Sequence, residues 1–172
     1  MSYIVEQEDS DYFFLEVKKS LIEGAGDGVF LRKDAIDLPA NYILCEYRGR
    51  IIRNDNINNI LDIDNKYLIS ISQKYHIDAN NSKCVASMIN DCIDFKKSFK
   101  MYKKAIKNKK LKNIHEYPLI AGKKYNTNFT LIHNKMFVLS TDNIKQGDEL
   151  YCGYGVNYWN HIFYKKLNIE NK

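Results

Sequence analysis

The chain has 172 residues, 45% hydrophobic and 13% aromatic, and a formal net charge of +5. That is enough for one domain with a real core, and too apolar for a disordered chain. No run approaches the ~18 apolar residues of a membrane span, the acidic start MSYIVEQEDSDYF has no signal-peptide core, and Cys45, Cys84, Cys92 and Cys152 form no CxxC pair, so free thiols in an intracellular protein are expected and no metal site is.

In chain order, Phe13 to Lys18 (FFLEVK) is predicted as a strand, alternating after its aromatic start. Gly24-Ala25-Gly26-Asp27-Gly28 then leads into Val29-Phe30-Leu31. Alternate glycines let a backbone wrap a ligand without side-chain obstruction. The run lacks the third glycine and following helix of a dinucleotide fingerprint, and the GK[ST] ending of a phosphate loop. On its own residues, a glycine-rich hairpin is the simpler reading. Tyr42 to Ile52 (YILCEYRGRII) reads as a strand broken at Gly49. Asn54 to Asn65 reads as a loop or short irregular helix. Tyr67 to Ser72 and Tyr75 to Asp78 form a predicted hairpin, with His76 and Asp78 on its surface and Cys45 in the core. Ser82 to Ile89 is a short helix ahead of Asn90-Asp91.

Phe95, Phe99, Tyr102 and Ile106 fall on one face of a helix capped by Asp94, with lysines on its other faces. This region is a charge anomaly. Asp94 to Lys124 holds 11 lysines against Asp94 and Glu116, a net +9, so the remaining residues sum to −4. Asn128 to Ile132 and Met136 to Thr141 flank His133-Asn134-Lys135 as another hairpin. Gly147 to Trp159 (GDELYCGYGVNYW) packs three aromatics into its last six residues. It is either a strand end packed on a helix or a pocket floor with Tyr154 between two glycines. A closing helix is predicted over Asn157 to Leu167. The whole reads as mainly β with short helices, one domain over 1–172 with a lysine-rich helical insert at about 94–124.

Taken together these stretches resemble the SET domain of protein lysine methyltransferases. GAGDGVF (Gly24 to Phe30) is similar to its first cofactor loop, and Glu46-Tyr47-Arg48-Gly49 to its EYxG strand. Met88-Ile89-Asn90 resembles the core of the RFINH motif, and NTNF (Asn126 to Phe129) the strand that follows. Gly147-Asp148-Glu149-Leu150 with Tyr154-Gly155 and Tyr158-Trp159 resembles the GEEL…YG..YW ending. Order and spacing agree from about Leu15 to Trp159. The chain departs from the pattern at Ser87, Met88 and Asp91, where the family has Arg, Phe and His. It has no cysteine cluster flanking the domain, as in minimal viral members.

The resemblance implies small antiparallel sheets of a β-clip, and a pseudoknot passing the Tyr154 segment under a loop near Asn90. It implies transfer of a methyl group from S-adenosylmethionine to a lysine ε-amine, with Tyr154 and Tyr47 catalytic. Ala25, Gly26, Gly28, Asn90 and Asp91 would hold the cofactor, and Trp159 would either stack on adenine or pack in the core. Asn126 would be a strut. Tyr47, Cys152 and Tyr158 would line the lysine channel. Cys152, two residues before Tyr154, is too small and weak a donor to hold a water there, which implies di- or trimethylation. The substrate would be a basic tail such as a histone's, in the nucleus of a host or other eukaryotic cell. The insert, far longer than the family's, offers Lys103, Lys104, Lys107 and Lys109 to nucleosomal or viral DNA, or is a solvated helix. A second subunit is one way to close the channel. A catalytically dead module binding peptide or nucleic acid is the competing reading.

Overall fold

A computed structural model describes residues 12–54, 67–80, 82, 84–107 and 122–170. Asn54 is described, but the rest of the expected polar loop falls on residues 55–66 and, like Lys109, lies outside that set. The chain forms two compact units, residues 1–90 with 126–152, and residues 91–125 with 153–172. It changes unit at Asn90-Asp91, Tyr125-Asn126 and Cys152-Gly153.

Among its described residues, the first unit holds three small antiparallel sheets and, within the expected helix of Ser82 to Ile89, a 3-10 helix at Val85–Met88. Strands β1 (Leu15–Lys19) and β2 (Asp27–Leu31) pair as a hairpin. Strands β3 (Ile43–Tyr47), β7 (Thr127–Ile132) and β8 (Lys135–Ser140) form a sheet ordered β3-β8-β7. Strands β4 (Arg50–Arg53), β5 (Leu68–Ser70) and β6 (Tyr75–Asp78) form the third, with β6 central. The predicted hairpins are present. The β7–β8 turn has positive φ at both His133 (48°) and Asn134 (62°), the twist that a two-residue hairpin favours. The break at Gly49 moves the chain from one sheet to another. A Cβ there would lie 2.2 Å from the Asp78 carbonyl oxygen, a contact only glycine avoids. Leu44, Cys45, Val29, Leu31, Val138, Ile144 and Leu150 are fully buried in one core. Burial, with Cys84 and Cys152 adding to it, pushes the Cys45 thiol well up.

Asp78 corrects the sequence reading. It is 2% exposed rather than a surface residue. Its carboxylate accepts from Arg50 Nη2 (3.1 Å) and caps the Asn80 N–H (2.9 Å), which offsets its burial.

Among its described residues, the second unit holds two helices. Helix α1 (Phe95–Lys107) begins as expected, with Asp94 Oδ1 accepting from Lys97 N at 3.0 Å. Hydrogen bonds from Lys97 hold the Asp94 carboxyl below its usual range. The predicted face is the buried one: Phe95, Phe99, Tyr102 and Ile106 join one apolar cluster. Helix α2 (Val156–Glu170) contributes Val156, Trp159, Phe163 and Leu167, spaced along one face. Phe163 is fully buried, its ring 5.3–5.4 Å from those of Phe95, Phe99 and Tyr102. Cys92 is bonded to the described residues that follow position 121. Gly122 N donates to Cys92 O (2.7 Å), and Cys92 Sγ to Lys123 O (3.1 Å). Among the described residues, no helix is long and apolar enough to cross a membrane.

Candidate active site

In the first unit the glycine segment is a folded-back loop. Ser20 N donates to Gly26 O (3.0 Å) and Ala25 N to Ile22 O (3.1 Å). Gly24 and Gly26 have φ of 80° and 82°, and no atom lies within 4 Å of where either Cβ would stand. Backbone conformation, not crowding, therefore demands glycine at both, and the space beside Ala25 stays open. Gly28 differs: a Cβ would lie 2.2 Å from Glu149 Oε1 and 3.1 Å from Asn90 Nδ2.

Glu149 is the anchor of this loop. Its buried carboxylate accepts from Ser20 Oγ (2.6 Å), Leu21 N (2.7 Å) and Tyr151 Oη (2.8 Å), with Asn90 Nδ2 farther off at 3.5 Å. Asn90 Nδ2 also donates to Asp27 O at 2.8 Å. Its amide nitrogen thus holds the glycine loop directly.

The segment 149–152 lies between two earlier pieces of chain. It forms parallel bridges to Asn90 on one side and Thr127 on the other. Cys152 N donates to Asn90 O (3.0 Å), and Thr127 N to Tyr151 O (3.1 Å). Asn126 clamps the same segment at two points: Nδ2 donates to Glu149 O (2.9 Å), and Oδ1 accepts from Tyr151 N (2.7 Å). Such paired contacts fix register, and they suit Asn126 as a strut.

In the second unit Asp91 is buried and accepts four donors. Oδ2 takes Tyr154 N (2.7 Å) and Trp159 Nε1 (2.8 Å); Oδ1 takes Tyr125 Oη (2.8 Å) and Ile93 N (3.2 Å). Tyr154 and Trp159 have nearly parallel rings, 11° apart at 6.4 Å, and Tyr158 meets Tyr154 edge-on at 4.8 Å. All three are half-buried.

The remaining expected residues divide. Tyr47 is buried in the first unit, its hydroxyl donating to Tyr67 O (2.8 Å) and its ring edge-on to Phe129 (5.5 Å). Cys152 is 1% exposed and part of the same core. Lys103, Lys104 and Lys107 are exposed on α1, with Lys103 Nζ 4.7 Å above the Phe99 ring. Separately, a groove of about 400 Å³ in the first unit is lined by Phe13, Ile36, Tyr42 and neighbours, and none of the expected site residues lines it.

Sequence reasoning missed the two carboxylate clusters. In the sequence Glu149 is one residue of the Gly147-Asp148-Glu149-Leu150 stretch, and Asp91 is expected only to hold the cofactor. A scan against protein-family models finds no match for this chain, and a search of curated proteins finds none either.

Proposed function

We propose that the chain is a SET-like protein-lysine N-methyltransferase using S-adenosylmethionine. The observation that carries this reading is the 149–152 segment. It is bonded between Asn90 and Thr127 while Glu149 grips the loop ahead of Gly26, so three of the resembling stretches converge on the fourth. The open space at Gly24 and Gly26 suits close approach of a cofactor's amino-acid portion to the Ala25 and Gly26 backbone.

When bound, S-adenosylmethionine would supply an electrophilic methyl to the neutral lysine amine, its sulfonium becoming a thioether and the resulting methylammonium giving its proton to water. The residues have three tasks. Only a neutral amine attacks, and lysine's free pKa is near 10.4, so apolar walls such as Tyr158 favour the neutral form by desolvation. Tyr154 orients the reacting groups through its hydroxyl. Tyr47 bounds the channel, with its own hydroxyl held by Tyr67 O. The resemblance gives Asn90 of the first unit, and Asp91 and Trp159 of the second, to the cofactor. Di- or trimethylation rests on the resemblance alone, because Cys152 packs in the core of the first unit. The substrate class is a basic lysine-containing tail, with α1 contacting polyanions such as nucleosomal DNA.

A specific observation favours the competing reading of an inactive binding module: Asp91 stands where the family has histidine, and its oxygens are engaged within the chain. Titration calorimetry with S-adenosylmethionine, paired with labelled-methyl transfer to core histones, decides. Micromolar binding with transfer supports the methyltransferase. No heat at 1 mM cofactor would leave the binding module.

A further inference from the structure

Asp91 is the only residue described here that bonds both Tyr154 and Trp159 through its side chain. We infer that it is the positioning residue for Tyr154, holding it through a carboxylate. The inference rests on the methyltransferase reading for its kinetic consequence and on geometry alone for the tether itself.

The geometry is specific. Four donors converge on two oxygens, and an ionised carboxylate has acceptor sites for all of them. One oxygen takes both the Tyr154 backbone N–H and the Trp159 indole N–H. The first bond fixes the chain at Tyr154, immediately before Gly155, whose φ is 85°. The second fixes the indole that lies parallel to the Tyr154 ring. Backbone and ring of Tyr154 are thus held from one atom. The other oxygen is itself held, by Tyr125 Oη and Ile93 N, so the carboxylate cannot swing. Tyr125 follows the lysine-rich segment in sequence, so one carboxylate bonds both that residue and Tyr154. Hydrogen bonds to a charged group are the strong class, and losing the acceptor strands buried donors.

Substitutions separate the tether from bulk. In Asp91→Asn the amide can turn its NH2 toward Tyr125, whose hydroxyl can accept, while its oxygen keeps the Tyr154 and Trp159 bonds. Asp91→Ala loses all four. Trp159→Phe keeps a ring for stacking and removes only the indole donor.

The test uses the full chain. Protection of the Tyr154 amide against hydrogen exchange is measured by NMR, and emission and acrylamide quenching of Trp159, the sole tryptophan, by fluorescence. Both read the tether without cofactor. Expected are a loss of Tyr154 amide protection of at least tenfold and stronger quenching in Asp91→Ala, with intermediate values in Asp91→Asn. In methyl transfer, kcat should fall at least tenfold in Asp91→Ala and less in Asp91→Asn and Trp159→Phe, with KM for S-adenosylmethionine changing less than kcat. Should Asp91→Ala fail to fold, the Asn and Phe variants carry the test by the same two readouts. Unchanged Tyr154 protection in the folded variants overturns the tether. Lost protection with wild-type kcat overturns the positioning role. A wild-type chain that transfers no methyl group overturns the methyltransferase reading and the kinetic role with it, while amide protection still decides the tether.

Discussion

Glu149 and Asp91 are both buried carboxylates that gather donors from distant segments, but they sit in differently built units. Glu149 belongs to a unit of sheets, where backbone ladders already fix the frame and the carboxylate adds one loop to it. Asp91 belongs to a unit of two helices, where few inter-element backbone bonds exist and aromatic packing sets the frame. The same chemical device therefore does different work. Glu149 locates a glycine loop on a sheet platform; Asp91 gathers four donors beside the aromatic packing of its own unit.

The comparison breaks first at the aromatic core. Phe163→Ala should destabilise the helical unit by about 4 kcal/mol, because a fully buried ring shared by both helices is lost. Trp159 emission and helical circular dichroism should melt earlier than in the wild type. A variant within about 1 kcal/mol of wild type would mean that this cluster does not hold the unit.

Glu149→Ala should cost about 3 kcal/mol by urea unfolding, since it strands Ser20 Oγ, Leu21 N and Tyr151 Oη. Glu149→Gln should lose less, because the Ser20 and Tyr151 hydroxyls can turn to accept from its amide. Equal losses in the two variants would show that charge, rather than the number of partners, is what matters.

The smallest effect is expected at the exposed lysines of α1 and at Lys109, which lies outside the described residues. Changing Lys103, Lys104, Lys107 and Lys109 to Gln should leave stability within about 0.5 kcal/mol. On duplex DNA it should lower the slope of log affinity against log salt by up to roughly 3–4. Transfer to a short free peptide should not change. An unaltered slope would return α1 to a solvated helix.

Much of the fold was legible because its signals are local. Alternation marked the strands, and the 95/99/102/106 spacing marked the buried face of α1. His133-Asn134-Lys135 marked a hairpin turn, of which Lys135 proves to begin β8. What was not legible is long-range. Ser20 and Glu149 are 129 residues apart, and Trp159 and Asp91 are 68 apart, so no period connects them. Asp78 misled because an acid at a strand end reads as solvated, while its partner Arg50 is 28 residues away on a strand paired with its own. For Asp91 one signal was available: an acid flanked by Ile89 and Ile93, both buried, needs donors.

The most direct measurement of the central claim is labelled-methyl transfer from S-adenosylmethionine to core histones by the wild type and by Tyr154→Phe. The account predicts transfer by the wild type, and a loss on the order of 100-fold or more in the variant with its fold and cofactor binding retained. Wild-type turnover in Tyr154→Phe, or no transfer by either protein, would contradict it.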